Sequence, residues 1–289
     1  MIDRRLFSTG LLACLSGVAP LAHADDKAEL SRRFADIEKA SGARLGVSVF
    51  DTGSGLRAGH REEERFPMCS TFKFLAAAAI LARVDQRMER LDRRIVFSKH
   101  DLVAGSPVTG QHVGSAGMTM AEICEAAITR SDNTAGNLML ASIGGPAGLT
   151  RYVRSLGDRH SRLDRIETAL NEARPDDPRD TTTPAAMLGD MQKILLGDAL
   201  SQPSRGHLLR WLDANQTGGQ RLRAGVPTDW VVGDKTGSGD RGTANVIAIL
   251  RPPGRTPILA AVFLTESTAS MEARNATIAA VGAAFAKAT

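Results

Sequence analysis

Aromatic side chains are only 4% of the 289 residues, with one Tyr and two Trp. A surface that stacks nucleobases needs several such rings beside a clustered basic stripe. The net charge is +4, but Lys and Arg alternate with Asp and Glu along most of the chain. Nucleic acid is therefore not an expected partner. Cysteine is scarce as well: Cys14, Cys69 and Cys124 have no His or Cys neighbours at ligand spacing, so neither a metal nor another cofactor is expected. Beyond residue 24 no apolar run approaches the roughly 20 residues that span a bilayer, and stable membrane association is not expected. No long-period repeat and no low-complexity tract is present, which sets solenoids and disordered arrays aside.

What is there begins with an export signal. Arg4 and Arg5 make a positive start, Leu6 to Leu21 is almost wholly apolar or small, and Ala22-His23-Ala24 is a small-x-small cleavage site. Residues 1–24 are thus predicted to be removed, giving a periplasmic or secreted protein. Arg4-Arg5 has a twin-arginine flavour and Leu11 to Cys14 faintly resembles a lipid-attachment box, so the export route stays open. Removal takes Cys14 away. It leaves Cys69 and Cys124, which an oxidising compartment permits to pair, although Cys124 in an apolar run also suits a buried small side chain.

The mature chain, with 43% hydrophobic and 24% charged residues, has globular composition and enough length for one large or two closely packed domains. Apolar spacing at Leu30, Phe34, Ile37 and Ala40 predicts a helix over 28–40. Leu45 to Phe50 and Leu56 to Gly59 read as strands joined by the turn Asp51-Thr52-Gly53-Ser54-Gly55. Strands return only at Trp230 to Gly233, Asn245 to Leu250 and Ile258 to Leu264, before a helix over 271–287. Between them lies a helical middle: 72–83, 120–129, 134–143, 149–156, 184–196 and 204–215. The expected fold is α+β: a five-stranded antiparallel sheet flanked by terminal helices, with an inserted all-α domain and a cleft between them. The predicted division is 25–61 with 216–289 for the sheet, and 62–215 for the helical insert.

Four short motifs carry chemistry. Ser70-Thr71-Phe72-Lys73 opens a helix, placing a hydroxyl where the dipole favours negative charge and an amine one turn on. A hydroxyl needs a base, and a desolvated Lys can serve. Ser131-Asp132-Asn133 lies between two helices; Ser131 would relay a proton to a leaving nitrogen, Asn133 would hold an amide carbonyl, and Asp132 would cap the next helix. Lys235-Thr236-Gly237-Ser238 follows a strand, with Lys235 for a substrate carboxylate, Thr236 and Ser238 as hydroxyls, and Gly237 allowing close approach. The Ser238 and Ser70 N–H groups would form an oxyanion hole. The long loop 165–184, rich in Pro, would be tied by Arg165 and Asp180. Within it Glu167 and Asn171, four residues apart, would hold one water between a base and an orienter. Each motif alone is also what a capped helix or a turn looks like; all four in one chain point to an acyl-transfer enzyme.

This set resembles class A serine β-lactamases. The resemblance extends over essentially the whole mature chain, including Asp101 to Gly110 and Asp180-Thr181-Thr182-Thr183-Pro184. It implies an α/β sandwich plus an all-α domain, metal-free hydrolysis, small-molecule β-lactams as substrates and inhibitors, and a monomer. Ser70 would form the acyl-enzyme, Lys73 would assist proton transfer, Ser131 would protonate the lactam nitrogen, and Glu167 with Asn171 would drive deacylation.

The departures shape the expected specificity. Thr168 stands where many relatives have Pro, which suggests a less rigid loop. Gly105 replaces a frequent aromatic gate, which suggests an open cleft mouth. Ala244 replaces a frequent Arg, so Arg221, with Arg274 as a second source, is expected to supply the missing positive charge. Gly239 stands where carbapenem-hydrolysing relatives pair a cysteine with Cys69. The closest resemblance is therefore to the extended-spectrum, cefotaxime-hydrolysing branch, with penicillins and cephalosporins expected as substrates. A D,D-peptidase shares the Ser, Lys and Lys-Thr-Gly chemistry, but Glu167 with Asn171 argues against it. A non-catalytic sensor or cell-wall binding module would ordinarily carry a tether or signalling domain.

Overall fold

The computed structural model describes residues 19–114 and 116–288. Most of the predicted export signal lies outside the described residues. The first helix, α1 (Ala19–Ser41), contains the predicted 28–40 helix and buries Leu30 and Phe34.

A five-stranded antiparallel sheet follows, built from β1 (Arg44–Asp51), β2 (Arg57–His60), β7 (Val231–Gly239), β8 (Thr243–Arg251) and β9 (Ile258–Thr265). Its order is β2-β1-β9-β8-β7, which makes β7 an outer strand. Asn245, Val246 and Ile247 of β8 face Phe263, Val262 and Ala261 of β9 in register. Period-two alternation then splits the apolar residues between two cores. Val246, Ala248, Leu250, Ala260, Val262 and Leu264 pack under α1 and the C-terminal helix α9 (Met271–Ala286). Ile247, Ile249, Leu259, Ala261 and Phe263 face the helical insert.

The insert is organised around α2 (Phe72–Asp85), whose residues Phe72 to Leu81 are all buried. Burial of side chains such as Phe74, Leu75 and Ile80 contributes about 1.5–3 kcal/mol each. Around it stand α3 (Met120–Thr129), α4 (Asn133–Ile143), α5 (Gly145–Ser155), α6 (Pro184–Leu195) and α7 (Gln202–Asp213), with a single turn, α8 (Leu222–Gly225), leading back to the sheet. Two short ladders, β3 (Phe66–Pro67) with β6 (Thr181–Thr182) and β4 (Arg94–Ile95) with β5 (Met118–Thr119), tie the connecting segments. Caps set the boundaries: Thr183 accepts from Ala186 N–H ahead of Pro184, and Ser270 caps α9.

Two expectations are corrected. Lys235-Thr236-Gly237-Ser238-Gly239 does not follow a strand; it is the second half of β7. Glycines are tolerated there because β7 pairs on one side only, with β8. Helix α5 begins at Gly145 rather than Leu149, because Gly144 and Gly145 adopt positive φ and Pro146 suits a helix start. Cys69 and Cys124 are both free and buried. No helix among the described residues is long and apolar enough to cross a membrane.

Candidate active site

Ser70 sits in a single tight turn, Cys69–Thr71, that runs directly into α2. Its Oγ donates to Glu167 Oε1 at 3.0 Å and accepts from Lys73 Nζ at 2.9 Å. Lys73 Nζ also lies 3.0 Å from the same Glu167 oxygen, and both side chains are fully enclosed. Burial pushes the Lys73 ammonium below its ordinary value, with Glu167 opposing the shift. The serine hydroxyl is thus held between a carboxylate that faces its proton and an amine that faces its lone pair.

Ser131, in left-handed conformation between α3 and α4, joins two lysines. Its carbonyl accepts from Lys73 at 2.8 Å, and its hydroxyl accepts from Lys235 Nζ at 2.9 Å. Lys235 is completely buried; desolvation and then the Lys73 charge drive its ammonium well below the ordinary value. Asn133 was expected to face an amide carbonyl. It lines the cleft, but its Oδ1 accepts from Lys73 at 2.7 Å and its Nδ2 donates to Ala104 O at 2.7 Å. Asp132 caps α4 through Ala135 N–H, as predicted, and also accepts from Val108, Thr109 and the Thr109 hydroxyl. It therefore anchors the segment before the turn to the turn itself.

The loop 165–184 is closed by the predicted pair. Asp180 accepts from Arg165 Nε at 2.6 Å and from the Asp164 and Arg165 N–H groups. Glu167 Oε2 accepts from Asn171 Nδ2 at 2.6 Å, while Asn171 Oδ1 is buried with no hydrogen-bond partner. That carbonyl oxygen and the Glu167 carboxylate suit a shared water. Beside Thr168, the main chain of Glu167 is gripped at both ends by Asn137, which donates to its C=O and accepts from its N–H. Sequence reasoning missed Asn137; its place one turn after Asn133 on α4 is the signal that would have found it. It also missed Asn245, buried in an otherwise apolar strand, whose Nδ2 holds the Pro67 and Met68 carbonyls just ahead of Ser70.

Ser70, Ser131, Asn133, Asn171, Thr217, Arg221, Thr236, Gly237 and Ser238 enclose a cleft of about 270 Å³. A Cβ on Gly237 would stand 2.9 Å from Met68 O and 3.2 Å from Ser70 N, so glycine lets β7 close on the nucleophile's turn. Gly105 has positive φ, and a Cβ there would meet Asn133 Nδ2 at 2.7 Å, so the residue in the gate position is fixed by contact with the site. Arg221 reaches the cleft from beneath β7, donating to Gly237 O and Ser238 Oγ at 2.7 Å and to Asn275 Oδ1. Burial lowers its guanidinium to about 10, so it remains a cation at neutral pH. Arg274 is not among the cleft residues; its Nε donates to Ser270 O. A Cβ at Gly239 would lie 2.7 Å from Cys69 Sγ, which confirms that these positions are neighbours. Burial pushes the Cys69 thiol up.

A serine whose proton faces a carboxylate and whose oxygen faces a lysine, with no histidine among the cleft residues, defines a Ser/Lys acyl-transfer hydrolase. The β-lactamase enzyme family model matches residues 29–289, and the chain belongs to that family, in its class A. β-Lactamase AST-1 of Nocardia asteroides is 50% identical over 287 residues, covering 96% of this chain and 92% of the relative. β-Lactamase CTX-M-8 of Citrobacter amalonaticus is 44% identical over 276 residues, covering 95% and 94%. Among solved structures, an ancestral (GNCA) class A β-lactamase is 62% identical with a TM-score of 0.89, covering 90% of this chain and 100% of that one.

Proposed function

We infer that this protein hydrolyses the β-lactam amide of penicillins and cephalosporins through a Ser70 acyl-enzyme, and so confers resistance to them. The observation that carries the reading is the Ser70 hydroxyl held between Lys73 and Glu167. In acylation Ser70 Oγ bonds to the lactam carbonyl carbon as its proton passes to Lys73 or Glu167. The C–N bond then breaks as Ser131 gives its hydroxyl proton to the nitrogen, and the proton taken from Ser70 passes through Lys73 to replace it, leaving Glu167 ionised for the second half. The Ser70 and Ser238 N–H groups stabilise the oxyanion. Lys235, Thr236, Ser238 and Arg221 bind the substrate carboxylate, with Gly237 admitting the substrate to the strand and Asn133 lining its amide side. In deacylation Glu167, with Asn171, takes a proton from water. Water's oxygen bonds to the acyl carbon, the ester C–O bond breaks, and Ser70 recovers its proton.

The family likeness supports a small-molecule enzyme acting as a free-standing monomer, exported and cleaved near Ala24. A division into 25–61 with 216–289, and 62–215, is supported by the core that lies wholly within the first of these, while the other core joins the opposite face of the sheet to the helical insert.

The decisive experiment is turnover of a chromogenic cephalosporin by the chain from Asp25 onward, beside Glu167→Gln, with intact mass recorded after mixing. Rapid turnover by the parent and a stable added mass on the variant are expected. A stable added mass on the parent would make the protein a penicillin-binding protein or sensor.

A further inference from the structure

Helix α2 ends at Asp85, and the chain turns back on itself there because Arg87 takes the left-handed conformation. The Met88 and Glu89 N–H groups both donate to Arg83 O, at 2.8 and 3.2 Å. This reversal, with β4 and α4, borders a groove of about 830 Å³, a volume that suits a small organic ligand. None of its lining residues belongs to the cleft around Ser70. Part of the wall is apolar: Ile95 and Leu138 are only half-buried, and Met88 is 54% exposed.

The rest of the wall is cationic, with Arg83, Arg87, Arg90 and Arg93 beside a single acid, Glu89. Two of these arginines are matched. Arg90 holds Asp92 through Nε and Nη2 at 2.9 and 2.6 Å, and Arg93 holds Glu89 in the same two-pronged way at 2.7 and 2.6 Å. Among the described residues Arg83 and Arg87 have no carboxylate at ion-pair distance; Arg83 acts on Glu89 only through space, behind the bonds from Arg93. A helix C-terminus favours cations, which accounts for arginines standing at this end of α2 but leaves their charge without a counter-ion. Arg83 Nε is moreover buried with no hydrogen-bond partner, so packing and not an acceptor holds that guanidinium in the wall. A cation already fixed in place and not neutralised loses little freedom when an anion binds.

We propose that this groove is a second binding site, for a small amphipathic organic anion whose phosphate, sulfate or carboxylate head rests on Arg83 and Arg87 and whose short alkyl or aryl part lies on Met88, Ile95 and Leu138. Charge complementarity selects this occupant. With Arg90 and Arg93 matched by Asp92 and Glu89, two positive charges remain, and guanidinium groups pair well with flat or tetrahedral oxyanions. A bare inorganic anion leaves the apolar wall in water, and a neutral apolar molecule leaves the two guanidinium groups unmatched. The site stands apart from the hydrolytic cleft, and the proposal does not depend on the reading of that cleft.

Calorimetric titration of the chain from Asp25 onward with n-octyl phosphate, at low ionic strength and below its micelle-forming concentration, tests this. One molecule should bind per chain, and added salt should weaken it. Inorganic phosphate and octyl glucoside, each carrying half of the chemistry, should bind at least about tenfold more weakly. Arg83→Gln and Arg87→Gln should each cost about tenfold in affinity, the worth of one charge-assisted hydrogen bond, and Met88→Ser about threefold. Arg87 is exposed, so its variant keeps the test sound whatever Arg83→Gln does to stability. Arg159→Gln, at an exposed arginine outside the groove, should bind as the parent does. Absence of binding by the parent, or an unchanged affinity in the Arg83→Gln, Arg87→Gln double variant, would overturn the proposal. Capture of the parent but not the double variant by phosphatidylglycerol vesicles, without binding of octyl phosphate, would make the patch a membrane contact and overturn it too.

Discussion

Glu167 Oε1 stands 3.0 Å from Lys73 Nζ and 3.0 Å from Ser70 Oγ, so one carboxylate oxygen serves both the nucleophile and its neighbouring amine. Burial lowers the Lys73 ammonium, and the nearby anion resists that shift. Removing the anion in Glu167→Gln lets Lys73 lose its proton more readily, so acylation persists while deacylation stops. Removing the amine in Lys73→Met takes away the donor to Ser70 and the link to Ser131 and Asn133. Single-turnover mixing should show acylation slowed about 10²- to 10⁴-fold in Lys73→Met, the usual worth of a positioned proton-transfer group. Acylation within tenfold of the parent would remove Lys73 from proton transfer.

Much of this site was legible in the sequence because each motif falls where local chemistry is distinctive. Ser70 and Lys73 share a helix face, Arg165 and Asp180 bracket a Pro-rich loop, and Asp132 is an obvious cap. What was not legible depends on pairings between distant segments. The strand that carries Lys235 was read as ending at Gly233, since the glycines at 237 and 239 argue for a turn until β8 is seen opposite them. Asn137 and Asn245 looked like ordinary polar residues, because nothing nearby in the chain reveals the Glu167 main chain or the Met68 carbonyl as their partners. Thr217 joins the site only through the fold that sets it against Thr236. Asn133, expected at the substrate's amide, lines the cleft and also serves Lys73 as an acceptor, a second role that only the fold reveals.

Arg221 is 5% exposed and spends N–H donors on Gly237 O, Asn245 O, Asn275 Oδ1 and Ser238 Oγ, yet its charge lies along the cleft wall. Arg221→Ala should raise KM for penicillins about tenfold, by analogy with the loss of one charge-assisted hydrogen bond. A modest fall in Tm should accompany it, as two strand carbonyls lose a donor. Burial lowers the guanidinium from its ordinary value, but an arginine keeps its proton across the working pH range, so the cation persists. The KM difference between the parent and Arg221→Ala should therefore stay the same from about pH 6 to about pH 9. An unchanged KM at neutral pH would take Arg221 out of carboxylate binding.

Asp190, on α6, is 1% exposed and has one carboxyl oxygen, Oδ2, without a hydrogen-bond partner. Burial, and then the charge of Asp158 with which it shares a hydrogen bond, push its carboxyl up to about 9; Lys193 and Arg154 oppose the shift. At neutral pH the native protein thus keeps a proton on Asp190, donated towards Asp158, that the unfolded chain gives up near pH 4. The native state binds more protons between about pH 4 and about pH 9, so stability falls with rising pH across that window, by at most about 1.4 kcal/mol per unit, and levels off above it. Asp190→Asn retains a donor for Asp158 and has no proton to lose. Its Tm should match the parent's near pH 4.5 and exceed it at pH 8, by an amount corresponding to about 2 kcal/mol. Because Asp158 also accepts from His160 and Ser161 N–H, at the start of the segment that leads to Glu167, parent and variant should diverge most in the alkaline stability of that segment. Amide exchange at residues 158–167, compared at pH 6 and pH 9, tests that directly, and a Tm difference that does not change with pH would refute a protonated Asp190.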